Sequence, residues 1–359
     1  MTLPERFDVL LAARAVLVLI GIWWAVGSNV SKDHPSLFQS FLLSDISTQS
    51  MFVTYAIYRM CSGLVTGRFP LTPQGIRKYL LNYGMRILPI YWAISILGAI
   101  LAGIVAKPLP PASEFIPREL FLIQWNYGNH VTWIFCTVGL TAQFALFCPA
   151  LIAFFTRMPH GFDMAIGVYA ALLLWLHLHI AGGGYRSELT NLLNGLLCLH
   201  AGIILALGEK PIRKWLETAP EWFLRALLIG LGVVWVLSGH FGRRGSAGTA
   251  LVKAILFTNL IVACLFVLHW VGKDRKWDLG PMGRVAMLLG VFSFQMAAWS
   301  RIVLNYFPWI FRDDFLSTCI GALALSFMTF ILVEKPVLEL KKRWIVAPLP
   351  GPVPGVDLN

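Results

Sequence analysis

Long apolar runs, separated by short polar segments, repeat along the whole chain. Ten of them approach the roughly 20 residues that an α-helix needs to cross the hydrocarbon core of a bilayer. They cover approximately residues 10–28, 50–66, 84–106, 131–156, 164–180, 189–208, 221–239, 250–271, 284–307 and 315–333. The pattern predicts an all-α fold, an integral membrane bundle of about ten transmembrane helices.

The ninth run is the least apolar of the ten. Five polar side chains interrupt it, namely Ser293, Gln295, Ser300, Arg301 and Asn305. Polar side chains within a membrane are costly unless they face other helices or a cavity. We therefore expect this helix to lie inside the bundle.

The segments between the runs are too short to hold a soluble domain. The longest cover residues 29–49 and 107–130, and the second is rich in proline. We expect both to form caps over the bundle. Residues 1–346 are predicted to form a single transmembrane domain, and the Pro/Gly-rich residues 347–359 a disordered or extended tail.

The basic residues of the short segments predict an orientation. With the amino terminus in the cytoplasm, the inside segments hold Arg6, Arg68, Arg77, Lys78, Arg157, Lys210, Arg213, Lys214, Lys273, Arg275, Lys276, Arg284, Lys335, Lys341, Lys342 and Arg343, and the outside segments only Lys32, Lys107, Arg118, Arg186, Arg243, Arg244 and Arg312. Cytoplasmic loops carry such an excess. Both termini are predicted to be cytoplasmic.

Composition supports the membrane assignment. The chain is 57% hydrophobic and 13% charged, whereas about a quarter of the residues of a soluble domain are charged. The net charge of +11 is spread between the apolar runs, which indicates contact with anionic lipid rather than nucleic acid. The six cysteines lie in or beside apolar runs without paired spacing, so we expect core packing rather than disulfides or metal ligands.

Arg14 is the one charge inside the first apolar run, a turn or so from its start. No small-residue cleavage site follows this run, so we interpret it as a retained anchor. An arginine at such a depth costs roughly 2.5–3.5 kcal/mol on insertion scales. Two interpretations remain open: Arg14 faces a polar cavity with a functional role, or it extends back to the headgroups.

Four local motifs stand out: CSGL at 61–64, MRILPIYW at 85–92, TVGLTAQFALFCP at 137–149 and LVEKPVLELKKR at 332–343. Arg86 lies at the mouth of the third run and Gln143 within the fourth. Glu334 is predicted to cap the end of the tenth run and pair with a nearby basic residue. A short amphipathic basic helix is expected to follow.

In this order and spacing, the motifs resemble those of the acyltransferase-3 family over nearly the whole chain. The resemblance implies a ten-span protein of the bacterial inner (cytoplasmic) membrane. It also implies transfer of acyl groups such as acetyl from acyl-coenzyme A, met at the cytoplasmic side, to envelope glycans or related molecules. Arg77, Lys78 and Arg86 would then contact the phosphates of the donor, although Arg86 is equally explained as a positive-inside anchor.

Acyl transfer to a hydroxyl needs a general base, usually histidine. The family carries one eleven residues after an arginine of the first span. Counted from Arg14, this position is Ala25; counted from Leu11, it is Ile22. Neither alignment places a histidine at this position.

Two further family positions also lack their polar groups. With Gln143 aligned, the family's tryptophan and glutamate correspond to Cys136 and Thr141, and a shifted register brings Trp133 into competition with Cys136. A late histidine corresponds to Ser300. The resemblance therefore implies a member that is degenerate at its signature positions.

A histidine elsewhere could replace the missing base. His130 and His177 are the candidates, with an interfacial location as the alternative for each. His177 and His179 lie on different faces of a helix, so a shared metal ion is not expected. Gln143 is either a ligand-binding group or an interhelical hydrogen-bonding partner.

Two classes of function follow. In the first, the chain is a non-catalytic, structural or accessory subunit of a membrane complex, binding a lipid, pigment, glycan or partner protein. In the second, it is an active O-acyltransferase with acyl-coenzyme A as donor, in which His130 or His177 is the base and Arg14 orients a substrate. A transporter or flippase is the third option.

Overall fold

A computed structural model describes residues 8–30, 45–104, 134–182, 188–218, 247–275, 280–306 and 314–346, with a few residues between 220 and 230. All regular structure in these ranges is helical. The helices are α1 (Val9–Val30), α2 (Asp45–Val65), α3 (Pro73–Ile104), α4 (Ile134–Arg157), α5 (Gly161–Ala181), α6 (Glu188–Thr218), α7 (Ala247–Arg275), α8 (Gly280–Tyr306), α9 (Phe315–Thr329), a π-helical turn (Phe330–Glu334) and α10 (Lys335–Val346).

Nine of the ten predicted runs coincide with these helices. Most of the run at 221–239, most of the segment 29–49, all of the segment 107–130 and the tail 347–359 lie outside the described residues. Six described helical stretches are long and apolar enough to cross a membrane: Pro73–Leu101, Gly161–Ala181, Leu192–Thr218, Lys253–Gly272, Gly280–Leu304 and Phe315–Lys341. The protein is a helical, multi-pass membrane protein.

The outer surface of α5 illustrates the contact with lipid. Leu174, Trp175 and Leu178 are large apolar side chains, and more than half of each is exposed. In water such a patch would favour aggregation. In a bilayer it faces acyl chains, which are as apolar as the side chains themselves.

Helix α8 lies inside the bundle, as its polar residues predict. Of the six apolar stretches it is the most buried. Ser293 donates a hydrogen bond to the carbonyl oxygen of Gly290 at 2.6 Å, and Ser300 donates one to that of Ala297 at 3.0 Å. These hydroxyls are satisfied within their own helix.

The backbones of α1 and α8 touch at Gly290. A Cβ atom built on Gly290 would lie 1.9 Å from the carbonyl oxygen of Leu11. Only glycine permits this approach. The contact fixes the position of α1 against α8, three residues before Arg14.

Two large hydrophobic clusters, with a smaller one around Leu176 and Leu193, form the core of the described residues. One joins mainly α2, α3, α4, α6 and α7 around Tyr58, Tyr79, Phe266 and Trp270. The other joins α1, α3, α8 and α9, with Trp299 among its buried side chains. Cys61, Cys148 and Cys198 are buried and unpaired, which confirms the predicted packing role for these three.

The start of α1 and the ends of α2, α6 and α7 lie at the same end of the bundle. There Asp8, before α1, lies 3.0 Å from His269 near the end of α7, and Tyr58 of α2 donates to Glu209 of α6 at 2.9 Å. Arg68, Arg77, Lys78, Arg157 and Arg213 lie at the helix termini of this end, and we call it the basic end.

Candidate functional site

A cavity of about 150 Å³ opens among α1, α2, α3, α4, α8 and the π-helical turn. It draws residues from the two large hydrophobic clusters and so lies at their junction. Its wall is largely apolar and aromatic, with a few charged and polar side chains. Those that bear on its chemistry are Arg14, Arg59, Arg86, Thr141, Gln295 and Glu334.

Arg14 forms part of the inner wall. Only 9% of its surface is exposed, and its guanidinium carbon lies 5.0 Å from the ring centroids of both Phe52 and Tyr55. Such cation–π contacts stabilise a desolvated cation. Arg14 Nε is buried without a hydrogen-bond partner. The side chain is therefore enclosed by the bundle instead of extending to the headgroups.

Arg59 and Arg86 line the exposed side of the cavity. Tyr83, another lining residue, donates a hydrogen bond to the backbone carbonyl of Arg59 at 2.8 Å, which ties α3 to α2 here. Arg86 was a predicted ligand-binding residue. Arg59 was not, although a lone arginine six residues before the end of α2 was a usable signal.

Glu334 reaches the cavity from the π-helical turn. Gln295 Nε2 donates to Glu334 Oε2 at 2.7 Å, and Arg86 and Arg14 are within electrostatic range of the carboxylate. The prediction that Glu334 caps a helix end is wrong, because helical structure continues from the turn into α10. π-helical turns occur frequently at functional sites, where they redirect a side chain.

Three positions of this chain lack the polar residue that the family resemblance predicts, and they lie in different parts of the structure. Thr141 is buried and lines the cavity. Ser300 lies on α8, outside the described cavity wall, and its hydroxyl donates a hydrogen bond to a carbonyl of the same helix. Ala25 lies on α1, eleven residues after Arg14, which corresponds to about 16 Å along a helix. Of the three, only Thr141 lines the cavity together with the arginines.

The other predicted site residues that the structure describes do not line this cavity. Arg77 and Lys78 are exposed at the start of α3, and Arg77 borders a separate shallow groove along that helix. Gln143 is half-buried on α4, two residues beyond Thr141. His177 is exposed on α5, and His130 lies outside the described residues.

A second polar cluster lies near the basic end, between α2, α6 and α7. Tyr58 donates to Glu209 and accepts a hydrogen bond from Trp270 Nε1 at 3.1 Å. Ser62 also donates to Glu209, at 3.3 Å. These bonds cross three helices, so their role is to hold the bundle together.

The charges of the cavity suit an anion. Its described wall contributes three guanidinium groups and one carboxylate. Arginine remains protonated in proteins and presents only hydrogen-bond donors, so these groups bind negative charge and cannot act as a general base. No cluster of three or more potential metal ligands occurs within the described part of the chain.

Comparison of the chain with models of known protein families, with curated proteins and with solved structures finds no match. The resemblance to the acyltransferase-3 family therefore depends on the four motifs.

Proposed function

We propose that this chain is an acyltransferase-3-like integral membrane protein that binds an anionic ligand in the arginine-lined cavity without catalysing acyl transfer. In this proposal it serves as a structural or accessory subunit of a membrane complex. The single observation that carries the proposal is the composition of the cavity. Arg14, Arg59 and Arg86 supply positive charge, while Thr141 stands where the resemblance expects a glutamate.

The convergence of the motifs supports the resemblance. Arg86, Thr141 and Glu334 come from three of the four motifs, and they meet in one cavity although about 250 residues separate the first from the last. A threonine hydroxyl is too weakly basic to take a proton from an attacking alcohol. Glu334 is already engaged by Gln295.

We further propose that the protein lies in the bacterial inner membrane with ten spans and both termini in the cytoplasm. The predicted inside residues Arg68, Arg77, Lys78 and Arg157 all lie at the basic end, and cytoplasmic loops are the basic ones. The exposed side of the cavity, at Arg59 and Arg86, then faces the cytoplasmic leaflet. Fusing a reporter that is active only in the cytoplasm to the carboxyl terminus tests this orientation.

The test of the function uses the purified protein in nanodiscs with acetyl-coenzyme A. Release of the free thiol is followed with and without a glycan acceptor, for the wild type and for Arg14→Ala, His130→Ala and His177→Ala. We expect no release above that of a protein-free nanodisc. Turnover that any of these substitutions abolishes would overturn the non-catalytic proposal.

Anion binding is tested on the same samples. Sulfate or phosphate should raise the melting temperature of the wild type, and Arg14→Ala should remove this increase. Arg157→Ala is the matched control, because Arg157 is exposed at the end of α4 and lies away from the described cavity wall. If both variants respond like the wild type, the cavity is not the anion site.

A further inference from the structure

Two buried polar atoms in the cavity wall lack hydrogen-bond partners. They are Arg14 Nε, a donor, and Gln295 Oε1, an acceptor. Gln295 is only 3% exposed. A buried polar group left unsatisfied destabilises the fold, so such groups in a native protein call for an explanation. Here both belong to the same cavity, which points to a ligand that satisfies both.

The orientation of the Gln295 amide follows from its neighbour. Its Nε2 donates to Glu334 Oε2 at 2.7 Å, and a carboxylate accepts hydrogen bonds. The amide nitrogen is therefore the atom next to Glu334. The oxygen is left as an acceptor, and its partner in a ligand must be a donor such as a hydroxyl.

The charge of the cavity limits the ligand further. Arg14, Arg59 and Arg86 together exceed Glu334 by two positive charges. Arg14 is buried, where an unpaired charge is costly, and Arg59 and Arg86 attract an anion from the exposed side. The best-matched ligand therefore carries two negative charges and one hydroxyl donor.

We propose that the cavity binds a dianionic phosphate group accompanied by a hydroxyl, and this inference rests on the proposed anion-binding function. The phosphate oxygens accept from Arg14 and the arginines at the exposed side, and the hydroxyl donates to Gln295 Oε1. Hydrogen phosphate has this chemistry. So does a glycerol phosphate headgroup, because a phosphate monoester carries −1.5 to −2 charges near neutral pH.

The experiment compares phosphate with sulfate, which has the same charge but no hydroxyl. Binding of each radiolabelled anion is measured at about pH 8 in nanodiscs of phosphatidylcholine. We expect the wild type to bind phosphate at least about tenfold more tightly than sulfate, since a hydrogen bond to a charged group contributes about 1.5–3 kcal/mol. Equal affinities would overturn the inference but leave the anion-binding function intact.

Two substitutions separate the hydroxyl contact from the charge. Gln295→Met removes the acceptor and should bring the phosphate-to-sulfate ratio close to one, mainly by weakening phosphate. Arg14→Gln should weaken both anions at least about tenfold, and Arg157→Gln neither. If Arg14→Gln does not fold, Arg86→Gln on the exposed side serves instead. Retained selectivity in Gln295→Met would overturn the inference, and the absence of binding of either anion to the wild type would overturn the proposed function as well.

Competition identifies the source of the phosphate. Oleoyl lysophosphatidic acid carries a phosphate monoester and a neighbouring hydroxyl, and lysophosphatidylcholine is its zwitterionic control. Displacement of labelled phosphate by lysophosphatidic acid alone, at a concentration well below that of unlabelled phosphate, supports a lipid headgroup. Displacement by unlabelled phosphate alone supports the free anion. Displacement by lysophosphatidylcholine at the same concentration as lysophosphatidic acid contradicts recognition of the dianionic group.

Discussion

Replacing Gly290 with alanine should separate α1 from α8. The added Cβ would lie 1.9 Å from the carbonyl oxygen of Leu11 and 2.9 Å from Leu11 Cγ, whereas real Cβ contacts are essentially never shorter than 3.0 Å. The closest atoms belong to the backbone, which cannot rotate away. The two helices must therefore move apart by about 1.1 Å, the difference between 3.0 and 1.9 Å.

The energetic cost of this movement follows from the packing around it. Overpacking a well-packed core costs typically about 1–3 kcal/mol, and occasionally more. The higher helix propensity of alanine offsets at most about 1 kcal/mol of this destabilisation. Arg14 lies three residues after Leu11 and Gln295 five residues after Gly290, so the same movement should widen the cavity and weaken its hold on an anion.

Thermal unfolding of purified Gly290→Ala measures the loss, and phosphate binding reports on the cavity. Gly167→Ala is the matched control, because Gly167 lies within α5 and a Cβ there meets nothing within 4 Å. We expect Gly290→Ala to melt several degrees below the wild type, and Gly167→Ala at or slightly above it. Equal melting temperatures for the two variants would refute the close approach of α1 and α8.

Two further predictions concern the basic end. Asp8→Ala should cost about 0.5–2 kcal/mol, as the loss of a helix cap does, because Asp8 accepts the first amides of α1 and bonds to His269. Burial raises the pKa of Asp8, but these hydrogen bonds outweigh it and hold the pKa below its usual value. The stabilisation should thus be complete above about pH 4 and lost as the pH falls further. A difference in melting temperature between wild type and Asp8→Ala that stays constant below about pH 4 would argue against this. Tyr58→Phe should cost about 1–3 kcal/mol, since Glu209 and Trp270 lose a shared partner; an unchanged melting temperature would show that the network is dispensable.

The residues of the cavity were only partly predictable from their positions along the chain. Arg14 was identified because a charge inside an apolar run is costly and requires compensation, and Arg86 because it belongs to a motif that resembles one of the family. Arg59 was not identified, because it lies in none of the four motifs that carry the resemblance. Glu334 was interpreted as a cap, since its Glu-Lys-Pro context is typical of a helix terminus. The π-helical turn that directs it to the cavity has no signal in the pattern of apolar residues.

The sequence alone determined the class of the protein. Runs of about 20 apolar residues can satisfy their backbone groups in a bilayer only as helices, so the helical membrane fold follows from hydropathy. The buried position of α8 follows from its polar residues in the same way. Both conclusions depend on local composition, which does not require knowledge of which helices are neighbours.

Only the tertiary structure decided which polar groups share a site. Arg14 and Glu334 are 320 residues apart in the chain, yet they line one cavity because α1 packs on α8, which in turn carries Gln295 to Glu334. Helix packing depends on the shape of side chains and on close contacts such as that at Gly290. Hydropathy is insensitive to these features, because every helix in a bilayer has an apolar surface that can face either lipid or protein.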